Sequence, residues 1–273
     1  MTQRTARAGP LRDPERYGPW ALVTGASAGL GECYALGLAA QGLNVVLVAR
    51  RAERLAALAQ RIAREHPGVA TLVVAADLTR ADACETVIAA TRSLEIGLLI
   101  CNAGAARTGS FFAMSSAELL SNFDLNARCT VQLCHFFGAA MVSRRRGGII
   151  VVSSIVGFTG VAGWAAYAAA KASGVSLALG LADECAKHRV AIQVLCPGHI
   201  RTEFHEHANI RALWPMRPGP VSRASLAALG RRRVVVPGWF NKFCVFGLRL
   251  LPRAFGARVY GWVLGGLRQD LAD

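Results

Sequence analysis

The stretch WALVTGASAGLGECYALGLAAQG, residues 20–42, constrains the fold more than any other, because an apolar run passes through a glycine-rich turn directly into a helical pattern. A strand, a tight loop and a helix in that order open an α/β unit whose helix start can receive a pyrophosphate on its backbone N–H groups. Gly25, Gly29 and Gly31 stand where a tight turn, close backbone approach to that pyrophosphate, and close helix packing would each exclude a Cβ. The spacing is TGxxxGxG rather than GxGxxG, so the flanking strand and helix patterns, not a generic motif, carry the reading.

The same alternation continues along the chain. NVVLVA, residues 44–49, is the unbroken β-branched run of a parallel strand buried on both faces. TLVVAAD then runs to Asp77 and Leu78, LLICNAG to Asn102, and GGIIVVSS to Ser154, while VAIQVLCPGHIRT leaves through Pro197 and Gly198. Helical patterns lie between them, one over roughly residues 116–145. Strands separated by helices of this length require right-handed crossovers and a parallel sheet. Residues 234–236 read as a seventh, edge strand. The expected fold is therefore a Rossmann-type, doubly wound α/β domain with a mostly parallel sheet of about seven strands and helices on both faces. A chain of 273 residues suits one such domain. Its expected span is residues 17–238, including a substrate loop over 203–233 that is irregular around WPMRPGPV and ends in a short helix, SRASLAALG, after a flexible lead (1–16) and before an apolar, basic tail (239–273).

Charge is uneven. Lys and Arg number 31 against 17 acids, a net +14, and the excess concentrates after residue 200. Such a block suits nucleic acid, an anionic membrane or an anionic substrate; no nucleic-acid fold signature accompanies it, so no nucleic-acid partner is expected. Eight cysteines without a CxxC pair read as free thiols in a reducing compartment. His205 and His207 flank Glu206, but residues two apart on a helix point away from each other, so no metal site is expected. The Arg-rich lead lacks an apolar signal core. The uncharged stretch 147–170 divides into a strand, a loop and a helix start rather than a membrane span. These features imply a cytoplasmic protein whose tail packs on its own domain, on a second copy or on a membrane surface.

The chemistry concentrates in SSIVGFTGVAGWAAYAAAK. If the run after Trp164 is helical, Tyr167 and Lys171 lie one turn apart on one face, where an ammonium can lower a phenol from its usual value near ~10 toward a working pH. Ser154, at a strand's carboxyl end, adds a hydroxyl where open α/β sheets place ligands. A lone YxxxK is more often a half-buried aromatic beside a solvated lysine; the surrounding motifs favour the chemical reading. At the end of the second strand, Ala49 followed by Arg50 leaves room and positive charge for a ribose 2′-phosphate, while Arg51 reads as the start of a solvated helix face.

Together these motifs, in this order from about Tyr17 to Thr202, resemble the short-chain dehydrogenase/reductase family. The resemblance implies a phosphate loop in TGASAGLG (Gly25, Ser27, Gly29, Leu30, Gly31), an adenine contact at Asp77 with Leu78, and a segment beside the cofactor at Asn102, Ala103 and Gly104. Cys101 replaces the usual first Asn of that last segment. It further implies a catalytic set of Asn126, Ser154, Tyr167 and Lys171, and a cofactor turn at Pro197, Gly198, Ile200 and Thr202. Within the family the chain looks like the branch of 17β-hydroxysteroid dehydrogenases and long-chain 3-oxoacyl-CoA reductases. That implies NADP(H) and interconversion of a carbonyl and a secondary alcohol on a small hydrophobic substrate with Tyr167 as general acid/base; a homo-oligomer is also expected, as one way to cover the apolar tail. The alternative is a dinucleotide-binding sensor or scaffold without turnover.

Overall fold

A computed structural model describes Leu11 and residues 13–202 and 215–265. The elements run α1 (Pro14–Tyr17), β1 (Trp20–Thr24), α2 (Gly29–Ala39), β2 (Asn44–Ala49), α3 (Ala52–Glu65), β3 (Thr71–Ala75), α4 (Ala83–Ala90) and β4 (Ile96–Cys101). They continue with α5 (Ser116–Phe123), α6 (Cys129–Arg144), β5 (Gly147–Val152), α7 (Ala165–Ala186), β6 (Val190–Leu195), α8 (Pro218–Ala228), β7 (Val234–Val235), α9 (Trp239–Leu250) and α10 (Arg253–Gly265).

All strand pairs are parallel, in one seven-stranded sheet ordered β3-β2-β1-β4-β5-β6-β7. The expected fold class is borne out, with Val234–Val235 as the short edge strand. Alternation along each strand divides the core between the two faces of the sheet. Ala21 and Val23 of β1 join Tyr34 and Leu38 of α2 and Val221 and Leu226 of α8 on one side. Leu22 points the other way, to Leu133 and Met141 of α6 and Ala178 of α7. Burying a leucine such as Leu22 or Leu99 completely stabilises the fold by roughly 2–3 kcal/mol before entropy is counted. Strand order reverses between β1 and β4, and the crevice at the carboxyl ends of these strands is where an open α/β sheet receives its ligand.

One element departs from the sequence pattern. The single helix expected over 116–145 is two helices joined by a turn of π-helix, Asp124–Arg128, which widens the ladder at Asn126. Within 203–233 the expected short helix is present as α8, starting earlier at Pro218, and packs against α2, while Trp214, His205 and His207 lie outside the described residues, as does nearly all of the lead. Among the described residues one helix, α7, is long and apolar enough to cross a membrane; it is the core helix that pairs its face with β6.

Candidate active site

The glycine loop follows from two backbone facts. Gly25 and Gly29 have φ of +68° and +58°, a left-handed region costly for any side chain. A Cβ on Gly25 would stand 2.9 Å from the Ala103 Cα, and one on Gly31 would run into the Gly25 carbonyl oxygen. Helix α2 starts at Gly29, and its N-cap residue Ala28 offers no side-chain cap, so the N–H groups of its first turn are open to an anion. These features fit a dinucleotide pyrophosphate. Leu30 is buried beneath the loop, and the methyl of Thr202 lies over Gly29.

Beside it, Asp77 accepts from the Thr79 N–H at 3.1 Å and the Thr79 hydroxyl at 2.9 Å, which fixes the turn after β3. Arg50 is exposed at the cavity rim. Arg51, expected only to begin a solvated face, instead donates to the Ser27 hydroxyl at 3.2 Å and lines the same cavity. The adjacent Arg-Arg pair was the only sequence signal for it.

Asn102 turns inward. Its Nδ2 donates to the carbonyls of Thr24 (2.9 Å) and Gly25 (3.3 Å), so its side chain braces the glycine loop from β4. The Cys101 thiol points away from the loop to Cys134, 3.9 Å distant.

Four polar residues converge at the centre. The Ser154 hydroxyl donates to the Pro197 carbonyl at 3.4 Å and hydrogen-bonds the Tyr167 phenol. Lys171 is buried, donates from Nζ to the Val152 carbonyl at 3.0 Å, and sits 5.7 Å from the Tyr167 ring centroid. Asn126 Nδ2 donates to the carbonyls of Ala105 and Asn122, both at 2.9 Å, whereas its Oδ1 is buried without a partner. A Cβ on Gly104 would meet that Oδ1 at 2.7 Å and Lys171 Nζ at 3.1 Å, so only glycine lets the two side chains come this close.

Burial changes the expected proton affinities. Desolvation raises the Tyr167 phenol well above its ordinary value, and the Ser154 hydrogen bond offsets this only in part. The net direction for Tyr167 is thus upward rather than the expected lowering, and burial acts on Lys171 as well, 5.7 Å from the ring centroid, pulling its ammonium down to about 8.

Sequence reasoning missed two further residues. Asn122 Nδ2 donates to the Ala105 carbonyl at 2.8 Å, alongside Asn126 four residues on; its helical spacing was the available signal. Asn122→Ala should lower stability by about 1 kcal/mol through that lost bond, seen as a fall of a few degrees in a thermal melt. Tyr260 reaches the cavity from α10 and packs, with Val245 of α9, against Val161, Trp164 and Tyr167. No local pattern links a tail residue to this wall. The resulting cavity has a volume of about 510 Å³ and runs from Arg50 past Gly29 and Tyr167 to Tyr260.

Comparison with known proteins adds an independent view. The family model for short chain dehydrogenase matches residues 19–212. A 7beta-hydroxysteroid dehydrogenase of Clostridium sardiniense is 32 % identical over 232 residues, covering 84 % of this chain and 88 % of that protein. A 17-beta-hydroxysteroid dehydrogenase type 3 of Rattus norvegicus is 35 % identical over 194 residues, 70 % of this chain but 63 % of the relative. The structure of a short-chain dehydrogenase from Sphingobium yanoikuyae in complex with NADPH superposes with a TM-score of 0.78 at 32 % identity, covering 94 % of this chain and 99 % of the other.

Proposed function

This chain belongs to the short-chain dehydrogenase family, in the branch that contains 17β-hydroxysteroid dehydrogenases, and we propose that it reduces or forms the carbonyl of a small hydrophobic substrate such as a ketosteroid or a 3-oxoacyl thioester. It is an NADP(H)-dependent oxidoreductase acting on CH–OH and C=O groups. The observation that carries the substrate reading is the cavity itself, which joins the glycine loop to Tyr167 and then to an apolar wall of Val156, Trp164 and Tyr260, backed by Val161. An apolar compound gains from such a wall, while a single polar group on it finds the Tyr167 and Ser154 hydroxyls.

NADP(H), when bound, supplies or takes the hydride. For reduction, Tyr167 gives its phenolic proton to the substrate oxygen, and Ser154 orients that oxygen by a hydrogen bond. The raised proton affinity of Tyr167 suits an acid that keeps its proton until charge develops on the substrate. Lys171, as an ammonium, favours the phenolate left behind and would hold a ribose hydroxyl; the buried, unpartnered Asn126 Oδ1 supports a role in accepting from a water that returns the proton. Gly25, Ser27, Gly29, Gly31 and Thr202 would cradle the phosphates and nicotinamide side of the cofactor, Arg50 and Arg51 would meet the 2′-phosphate, and Asp77 and Leu78 would hold the adenine. Leu30 and Asn102 hold the loop in shape, while Ala103, Gly104, Pro197, Gly198 and Ile200 complete the floor.

An NADPH-oxidation screen over ketosteroids, 3-oxoacyl thioesters, and simple aldehydes and ketones tests this reading. Turnover is expected to rise with apolar bulk; no turnover of any carbonyl, with NADPH still bound, would return the chain to a cofactor-binding module. The pH profile supplies a second test. With its ammonium at about 8, Lys171 is charged in most molecules at neutral pH. In the reductive direction kcat/KM should therefore be flat below neutrality and fall above about pH 8 as Lys171 loses its proton, while Tyr167 stays protonated. A profile flat past pH 9 would remove the charge requirement.

A further inference from the structure

Helix α9 presents two unlike faces. Trp239, Phe243, Phe246 and Leu250 recur at i, i+4, i+7 and i+11, which stacks them in one stripe along the helix. They are 80 %, 68 %, 61 % and 69 % exposed, whereas Val245 on the other side is buried against the cavity wall. The stripe is thus not the core face of its own domain. Exposed Phe255 and Val259 carry the apolar surface onto α10, whose Tyr260 faces inward.

Next to the stripe runs a groove between α8, β7 and α9. Its rim carries Arg217, Arg231, Arg232 and Lys242, all exposed, over Val221 and Val235, and Phe246 belongs to both groove and stripe. From residue 207 to residue 269 the sequence holds eleven Arg and Lys and no Asp or Glu. Bulky apolar side chains flanked by uncompensated cations suit an interface with apolar depth and an anionic surface. A second copy fits less well, since a two-fold contact through this face would bring the same cations together.

We propose that the α9 stripe and the adjoining cationic groove form a docking surface for an anionic phospholipid bilayer, with α9 lying in the interface plane. The four aromatic and aliphatic side chains enter the headgroup boundary, and Arg217, Arg231, Arg232 and Lys242 meet the phosphates and carboxylates around them. Docking does not depend on which carbonyl compound the enzyme takes. It would nonetheless hold the cavity wall, formed by the inner side of the same two helices, next to lipid-dissolved substrates.

Flotation of the full-length protein with vesicles of equal parts phosphatidylserine and phosphatidylcholine, against phosphatidylcholine alone, tests the surface. Binding is expected only to the anionic vesicles, and to disappear between about 0.01 M and about 1 M salt as the Debye length shortens from about 30 Å to about 3 Å. Arg231→Glu with Arg232→Glu, and separately Phe243→Ser with Phe246→Ser, should each weaken partitioning by more than about tenfold. Turnover of a water-soluble ketone should be unchanged in both, because these exposed side chains lie outside the catalytic cavity. The proposal is overturned if the wild-type protein stays in the soluble fraction with anionic vesicles at low salt, or if both variants float as it does. A wild-type oligomer that Phe243→Ser with Phe246→Ser breaks, without any vesicle binding, would instead make this face a contact between copies.

Discussion

Tyr167→Phe is expected to lower kcat by about 10²- to 10⁴-fold, the usual contribution of a positioned proton donor, while NADPH binding changes by no more than a few-fold. The substitution removes one oxygen and keeps the ring. Trp164 still has its neighbour, with centroids 5.8 Å apart in the wild type, and Lys171 still has an aromatic face above which to sit. What disappears is the hydroxyl that shares a hydrogen bond with Ser154. Stopped-flow or steady-state NADPH oxidation measured beside a fluorescence titration of NADPH separates the two effects. More than a few per cent of wild-type turnover would sink the proton-donor role, and loss of binding together with turnover would make Tyr167 a structural residue.

The second large effect concerns the choice between NADPH and NADH. A charge-assisted contact to the 2′-phosphate is worth about 1.5–3 kcal/mol, or roughly ten- to a hundredfold in the ratio of the two dissociation constants. Arg50→Asp should erase or invert that ratio by setting a carboxylate against the phosphate. Arg51 is a distinct case, because its guanidinium is anchored 3.2 Å from the Ser27 hydroxyl over the glycine loop. Arg51→Ala should therefore weaken both cofactors somewhat and NADPH more. Titrating both variants with each cofactor assigns the contact: a ratio unchanged by Arg50→Asp but lost in Arg51→Ala moves it to Arg51, and a ratio unchanged in both removes it from this corner.

The sheet was legible because a parallel strand buried on both faces has to be apolar at nearly every position. NVVLVA and VAIQVL meet that demand without help from the rest of the chain, and both are buried almost throughout. The glycine loop was legible for the opposite reason: positive φ and missing Cβ atoms forbid other residues, so the backbone geometry is written directly into the letters. Tyr167 and Lys171 were legible as a pair because helical period alone sets them one turn apart. The wall opposite them was not. Tyr260 lies far along the chain, and a tail rich in aromatic residues reads the same whether it is packed inside or left bare. The structure divides that tail, turning Val245 and Tyr260 inward and leaving Trp239, Phe243, Phe246 and Leu250 outside.

By itself, then, the sequence determined most of the elements, their parallel pairing and the candidate residues for binding a dinucleotide and handling a proton, since these depend on local period, on forbidden backbone angles and on side-chain chemistry. Tertiary structure decided what depends on distance and burial. It interrupted the helix at Asp124–Arg128 so that Asn126 could reach the Ala105 carbonyl, and it turned Asn102 inward to brace the loop. It also set the proton affinities against the expectation from spacing. An ammonium one helical turn away would lower a phenol in water, but inside the fold both groups are stripped of solvent, so burial raises Tyr167 and lowers Lys171 before either acts on the other.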